Sequence, residues 1–570
     1  MEKWFITMKK ADFNKIAEKY HISPILARLI RNRDIVGDEA VDFYLNGTIA
    51  DLYDGMLMKD MDRAVEILSE KIREEKRIRV IGDYDIDGVN ATYILQQGLS
   101  ELGTDVDTDI PDRIKDGYGL NIDLIDRAID DGIDTIITCD NGIAAAEEIA
   151  YGKENGLTIV VTDHHEVPYV EMNGEKEYIL PRADAVVNPH RADCEYPFKG
   201  LCGAAVAYKL VEALYNVMQR DPEDVDYLME NVAIATVGDV MDLTGENRIF
   251  VKQGLEMLKR TQNPGLKALI ECTGIDVERL NAYHIGFILG PCINASGRLD
   301  TAKRALELLN ARTRRDAVML AEDLKALNDS RKEMTEKGVE EAVQMIESTS
   351  LKDDRVLVVY LPDCHESIAG IIAGRIREKY YRPVFVLTRA EEGVKGSGRS
   401  IETYDMFAQM CRCRALFTKF GGHKLAAGLS LQEENVERFR ETINDLCELS
   451  DEDLQEKVSI DMRLPFPYIT EQLVNELELL EPFGKGNPKP LFAEKNLSVI
   501  SPRIFGKNRN VLKCRLQDQQ GYQMEAVYFG DVEDCLRAME QKSVMSFTYY
   551  PSVNEYMGRR TLQLTLVNYQ

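Results

Sequence analysis

Between residues 78 and 188 the chain repeats one pattern four times, a short apolar and β-branched run followed by a polar turn. The runs are "IRVIG" (78–82), "DTIITC" (134–139), "LTIVVT" (157–162) and "ADAVVN" (183–188). Helix-like stretches such as "VNATYILQQGLSELG" and "DNGIAAAEEIA" separate them. Continuous apolar runs suit strands buried on both faces, and their alternation with amphipathic helices predicts a parallel, doubly wound sheet. Such sheets hold ligands beyond the carboxyl ends of their strands.

Those ends carry an unusual set of residues. Asp83, Asp85 and Asp87 follow the first run, Asp140 the second, and Asp163, His164 and His165 the third. Asp239, in "IATVGDVMDL", closes a further apolar segment and is expected at another strand end. The chain has only seven histidines and spends two of them here. Carboxylates gathered on one sheet edge repel one another and resist ionisation unless cations balance them. Two divalent ions are the economical solution. Carboxylates suit Mn²⁺ or Mg²⁺, and imidazole favours Mn²⁺. The "DYDIDG" turn is not an EF-hand, because the glutamate that closes that loop is missing. Two ions about 3.5 to 4 Å apart activate water and stabilise in-line attack on phosphorus. GxxxxGK[ST], HExxH and GxSxG are all absent, so the reactions they mark lack their signatures.

The remaining organisation is coarser. At 570 residues the chain exceeds one core, so two to four domains are expected. Residues 313–348 hold one glycine and no proline, with Thr313 and Asp316 resembling the start of a capping box. They predict a helix about 50 Å long that spaces two domains. A second α/β segment follows, with "RVLVVYL" (355–361), "RPVFVLT" (382–388) and "GVKGSGRS" (393–400). From about residue 455 alternating strands predict a small antiparallel barrel. The net charge of −27 argues against a protein coated in nucleic-acid-binding surface. Two acid-free stretches interrupt it, however. Residues 406–432 carry Arg412, Arg414, Lys419 and Lys424, and residues 495–517 carry Lys495, Arg503, Lys507, Arg509, Lys513 and Arg515. These predict local surfaces for a polyanion. "GSGRS" and "FGGHKLAAG" (420–428) are expected to offer backbone N–H nests for phosphate. Eleven scattered cysteines without CxxC spacing, no membrane-length apolar segment and no signal-like start predict a cytoplasmic enzyme with no membrane partner.

"GDYDIDG", "DNGI", "TDHHEVP" and "VGDVMDL" resemble the four motifs of the DHH phosphoesterase superfamily. "GPCINASGRLD" (290–300), "CHESIAGIIAGRI" (364–376), "GSGRS" and "FGGHKLAAG" are similar to the RecJ exonucleases within it, and the likeness runs from about residue 45 to the barrel. The resemblance implies a metal-dependent exonuclease degrading single-stranded DNA from its 5′ end to nucleoside 5′-monophosphates, in repair and recombination. It implies two ions, Mn²⁺ or Mg²⁺, held by Asp85, Asp87, Asp140, His164 and Asp239. His165 would touch the second ion or the scissile phosphate, with Asp83 and Asp163 supporting the ligands. Arg113, Arg298, Ser397, Arg399 and His423 match positions near the substrate phosphates, and Tyr118 and Phe420 are candidates to stack bases. Ile81 departs from the pattern, since some relatives carry histidine there, which would weaken the first metal position. The implied architecture is an extension (1–60), a DHH catalytic domain (61–312), a connecting helix (313–349), a DHH-associated substrate-binding domain (350–450) and an OB-like nucleic-acid-binding barrel (451–570). The implied partners are single-stranded DNA, a single-strand-binding protein and a helicase, for a monomeric enzyme. A DHH phosphoesterase on short oligonucleotides or cyclic dinucleotides is the nearest alternative, but such relatives usually lack the barrel. A non-catalytic DNA-binding scaffold would have lost metal ligands, and all four motifs are kept here.

Overall fold

The computed structural model describes residues 2–113, 116–117, 119–172, 175–506, 508–556 and 558–570; the expectations for Tyr118 and Lys507 fall outside them. Five strands form the first sheet: β1 (Ile78–Ile81), β2 (Val106–Asp109), β3 (Thr135–Cys139), β4 (Thr158–Thr162) and β5 (Ala185–Val187). All pairings are parallel, in the order β2-β1-β3-β4-β5. Both faces are covered. Val80, Ile137 and Val160 join one core cluster, and Ile81, Ile136 and Ile159 join the other. Helices α1 (Ile86–Glu101), α2 (Gly203–Val217) and α3 (Met229–Gly238) pack on the first face. The chain turns to opposite sides of the sheet after β1 and after β3, so the crevice between them opens at their carboxyl ends.

Asp239 does not end a strand. It caps the C-terminus of α3, its N–H bonded to the Ala235 carbonyl at 2.8 Å. The run "VAIATVG" is apolar on every side because α3 is buried on every side, and periodicity does not separate such a helix from a buried strand. Ile81 lies fully inside the core.

Helix α4 (Arg314–Ser348) has 35 residues, about 50 Å at 1.5 Å each. The Thr313 hydroxyl accepts the Asp316 N–H at 3.2 Å, and Asp316 takes the Thr313 hydroxyl proton at 2.7 Å instead of the cap N–H. The helix is bound at both ends: Ala317, Ala321 and Leu324 enter the first domain's core, and Ala342 and Ile346 enter the second's. The second sheet comprises β6 (Leu357–Tyr360), β7 (Val384–Arg389), β8 (Val394–Arg399), β9 (Phe417–Gly422) and β10 (Ala426–Leu431), ordered β9-β10-β8-β7-β6. "GSGRS" therefore does not form a phosphate nest. It lies in or directly after β8, which pairs antiparallel on both sides, so the strand's amides serve the sheet. Helix α5 (Ala369–Tyr380) packs on one face.

The last sheet comprises β11 (Met462–Arg463), β12 (Phe492–Phe505), β13 (Val511–Gln517), β14 (Gln523–Tyr528), β15 (Met545–Tyr556) and β16 (Arg559–Tyr569). Pairing runs β12-β13-β14-β16-β15 and closes through β12–β15 into a five-stranded barrel of OB-like form. The N-terminus belongs physically to this unit. Lys3–Ile6 pairs with Lys457–Ile460, and Leu26, Leu29, Ile30, Val41 and Tyr44 share the barrel's core with Phe492 and Phe547. The architecture is thus two α/β domains joined by a long helix, plus a barrel.

Candidate metal centre and substrate cleft

Each candidate ligand is aimed by backbone. Asp85 caps α1, its Oδ1 accepting the N–H groups of Asp87 (2.9 Å) and Gly88 (3.1 Å). A Cβ at Gly88 would lie 2.4 to 2.6 Å from the Asp83 backbone, so only glycine lets this turn close. Asp87 accepts two amides from the first turn of α2, Gly203 at 2.6 Å and Ala204 at 2.7 Å, which places it at a positive helix end. Gly203 is needed for that approach, because a Cβ there would sit 2.6 Å from the Asp140 Cβ. Asp140 holds a left-handed backbone (φ 59°) directly after β3. Aspartate tolerates that conformation better than most residues.

These side chains converge. His164 Nε2 lies 3.0 Å from Asp140 Oδ1, 3.5 Å from Asp87 Oδ2 and 3.9 Å from Asp239 Oδ2. Among the described residues, three donor sets have ligand atoms within 4.8 Å of one another: Asp140, His164 and His165; Asp87, His164 and Asp239; Asp83, Asp85 and Asp140. Shared Asp140 and His164 link them into one centre. Asp83 also offers a donor atom to one of these sets, beside Asp85 and Asp140. Asp163 stands outside these sets and accepts hydrogen bonds from the Ile143 N–H (2.9 Å), the His164 N–H (2.7 Å) and His165 Nδ1 (2.8 Å).

The electrostatics call for a counter-charge. Burial, then the neighbouring Asp85, pushes the Asp83 carboxyl up to about 8. Burial, then Asp87 and Asp85, does the same to Asp239, also to about 8. Burial and the surrounding carboxylates hold Asp140 and Asp87 above the usual range as well. One Asp83 oxygen is buried with no hydrogen-bond partner. For Asp163, burial is outweighed by the His165 hydrogen bond, and its pKa is lowered. His165 rises to about 9, since Asp163 overcomes the desolvation that would lower it. Burial lowers His164, which favours the neutral, metal-binding imidazole. Crowded carboxylates, an orphaned oxygen and neutral imidazole form a donor set fitted to divalent cations.

A cleft of about 510 Å³ opens beside Tyr84, between the two α/β domains. Arg113, Arg298, Ser397 and Arg399 all line it, as do Lys395, Lys419 and Phe420. Arg298 donates to the Ser367 carbonyl across the domain boundary (3.0 Å), and Arg113 lies over the Tyr84 ring at 4.9 Å. Burial, then Arg113, lowers Arg298 to about 10, and burial and nearby arginines lower Arg399. His423 is not brought to this cleft. It sits exposed at the turn of the β9–β10 hairpin, its N–H bonded to the Ala426 carbonyl at 2.8 Å. The basic stretches are also partly neutralised by acids that neighbour them only in space: Arg412 meets Glu448 (3.3 Å), Arg509 meets Glu533 (3.3 Å) and Arg515 meets Glu525 (3.0 Å).

Sequence reasoning passed over the loop after Glu481. The Lys485 carbonyl accepts the Leu243 N–H at 2.8 Å and its amine lies 3.6 Å from Asp242, so the loop clamps the segment carrying Asp239. Its signal was the turn-dense "PFGKGNP".

Family models match three segments: the DHH family N-terminal domain at residues 77–236, the DHHA1 domain at 353–449 and the RecJ OB domain at 460–568. The chain is 35% identical to the single-stranded-DNA-specific exonuclease RecJ of Bacillus subtilis (strain 168), over 99% of this chain and 70% of the relative. It is 32% identical to the protein of that name from Escherichia coli (strain K12), over 99% of each. The fold is similar to that of Thermus thermophilus RecJ solved with Mn²⁺, with a TM-score of 0.84 and 27% identity over 100% of this chain and 79% of that one. The same protein solved with Mg²⁺ gives 0.79 and 26%, over 100% of this chain and 78% of that one.

Proposed function

Because the chain belongs to the RecJ family, we propose that it is a metal-dependent exonuclease that digests single-stranded DNA from the 5′ end and releases nucleoside 5′-monophosphates, in repair and recombination. The observation that carries this reading is the junction of three linked donor sets with an arginine-lined cleft at one crevice of the sheet. Asp83, Asp85, Asp87, Asp140, His164 and Asp239 would hold two Mn²⁺ or Mg²⁺ ions. Bound there, the ions supply Lewis-acid activation of water and neutralise charge on the phosphoryl group.

The chain's own residues do the rest. The amide pair of Gly203 and Ala204 fixes Asp87, and the α1 amides fix Asp85, so neither carboxylate swings with the substrate. The Asp163 carboxylate accepts a hydrogen bond from His165 Nδ1 and so orients the ring, and His165 would meet the second ion or the scissile phosphate through Nε2. Arg113, Arg298 and Arg399, with the Ser397 hydroxyl, would grip the terminal phosphate. A 5′ monoester carries more charge than an internal diester, and that difference sets polarity. A helicase that exposes single strands and a protein that coats them suit this substrate requirement, with the chain acting as a monomer. A cytoplasmic setting accords with eleven free cysteines. No helix of the described residues is long and apolar enough to cross a membrane.

The test supplies 5′-labelled single strands, duplexes and dinucleotides with Mn²⁺ or Mg²⁺. Single strands should be consumed from the labelled end to mononucleotides. Asp140→Asn should lose more than the roughly hundredfold typical of a supporting residue. Preferential digestion of dinucleotides, or full activity in Asp140→Asn, would overturn the assignment.

A further inference from the structure

The two helices that carry metal ligands also frame a cavity at their far ends. Asp87 lies in the first turn of α1, and Tyr93, Gln97 and Glu101 further along it line a hollow of about 810 Å³. At 1.5 Å per residue, Gln97 lies about 15 Å along the helix from Asp87. Helix α3 spans the same gap in reverse: Glu230 in its first turn lines the hollow, and Asp239 caps its other end. Residues 260–263 and 309–312 close the remaining walls. The hollow shares no lining residue with the arginine cleft.

Glu230 sets its chemistry. The side chain is 4% exposed. The Thr261 hydroxyl donates to one carboxylate oxygen at 2.8 Å, and no described residue bonds the other, which stays open to the hollow. Burial pushes this carboxyl up to about 7, the mark of an acid short of hydrogen bonds. Two other acids in the walls are already engaged. Glu101 accepts the Tyr227 and Tyr215 hydroxyls at 2.8 and 2.9 Å, and Glu256 meets Lys259 at 2.6 Å. Tyr93 has the opposite need. Its oxygen accepts the Asn263 amide at 2.9 Å, and its own proton goes to no described residue. Burial raises that phenol to about 12, so the proton stays on. Tyr227 adds a half-exposed ring, and the exposed Arg260 and Arg312 pair with no described carboxylate.

A ligand matched to these groups is flat enough to lie against a tyrosine. It carries adjacent N–H donors for a carboxylate, an acceptor for a phenol and an anionic tail for two arginines. Guanine meets the first three needs, because N1–H and the exocyclic N2–H donate side by side and O6 accepts. Adenine lacks that donor pair. A 5′ phosphate meets the fourth, and the volume suits a ligand of this size. We propose that the hollow binds a guanine nucleotide, with Glu230 pairing the N1–H and N2–H edge and Arg260 and Arg312 holding the phosphate. Two sources share this chemistry, a free ribonucleotide and a deoxynucleotide released from DNA; only the second rests on the nuclease reading above.

The experiment is titration calorimetry on the full chain in EDTA, so that no phosphate binds through a metal ion. The ligands are guanosine 5′-monophosphate, its 2′-deoxy form, adenosine 5′-monophosphate and guanosine. Guanosine 5′-monophosphate should saturate one site and bind about tenfold or more tighter than the adenosine nucleotide, since the difference is hydrogen bonds to a charged group. Glu230→Gln keeps the side-chain size and an acceptor for Thr261, and should abolish that preference at an unchanged melting temperature. Arg260→Ser/Arg312→Ser alters only exposed side chains and should bring guanosine 5′-monophosphate down to the affinity of guanosine. Tighter binding of the deoxy form assigns the ligand to released product and tighter binding of the ribo form to free nucleotide; either supports the site. Absence of saturable binding, an adenosine nucleotide bound equally well, or a guanine preference that survives in Glu230→Gln overturns the proposal.

Discussion

The approach of α2 to Asp140 can be tested by adding one methyl group. In Gly203→Ala the new Cβ would stand 2.6 Å from the Asp140 Cβ, 2.9 Å from its Cα and 3.0 Å from its Oδ1. Two of these atoms belong to a rigid and already strained segment, so the first turn of α2 must retreat. Retreat stretches the Gly203 and Ala204 amides away from Asp87, which they now hold at 2.6 and 2.7 Å. Overpacking of this kind costs about 1 to 3 kcal/mol, and loosening bonds to a charged group costs a similar amount. The reduced chain entropy of alanine offsets about 0.4 to 1 kcal/mol. The protein should therefore stay folded while its centre loosens. Mn²⁺ affinity by titration calorimetry should fall about ten- to a hundredfold, with kcat/KM following it. Gly374→Ala is the control, on helix α5 with nothing within 4 Å of its added Cβ, and should leave both quantities unchanged. Wild-type Mn²⁺ affinity in Gly203→Ala would refute the idea that α2 positions the centre.

Two further outcomes follow from the charges. Arg399→Met should erode the preference for 5′-phosphorylated over 5′-hydroxyl strands, by about tenfold or more in the ratio of their kcat/KM values; an unchanged ratio would take Arg399 out of the end-binding role. In EDTA the stability of the chain should fall with rising pH. Asp83 and Asp239 are raised from 3.8 to about 8, so their contribution is full below about pH 4 and is lost as pH climbs through 8. His165, raised from 6.5 to about 9, acts in the same direction over a higher window, whereas His164, lowered, works against it. Saturating Mn²⁺ should flatten the profile measured by thermal melts, and an apo profile that rises from pH 5 to 8 would contradict the crowding argument.

Much of this was legible in the chain. Strands buried on both faces must be apolar throughout, so 78–82, 134–139 and 157–162 announced themselves, and the acids at their ends followed from the sheet's geometry. Asp239 shows the limit. A helix buried on all sides has the same composition as a buried strand, so the element was misread although the residue still reached the centre. "GSGRS" misled in the opposite sense, since glycines that allow a turn also allow close packing inside a sheet. His423 shows a different limit: hairpin geometry carries it to an exposed turn outside the lining of the cleft, which its linear neighbours could not show. Packing of residues 26–44 on a barrel more than four hundred positions away left no local trace at all.

The chain carries a net charge of −27 and is built to handle a polyanion, and the cleft shows how both hold together. Among the described residues neither Arg298 nor Arg399 is ion-paired with a carboxylate; burial, then Arg113, lowers the pKa of Arg298, and burial, then Arg377 and Arg113, lowers that of Arg399. On the basic stretches Arg412, Arg509 and Arg515 are instead paired with Glu448, Glu533 and Glu525. A phosphate arriving in the cleft thus relieves repulsion that the fold has left standing, whereas one arriving on those stretches must compete with an acid already in place. Strong general positive charge would bind DNA along its whole length and hold it there. An acidic body with a few unneutralised arginines favours the terminus, and that preference is what an enzyme working from an end requires.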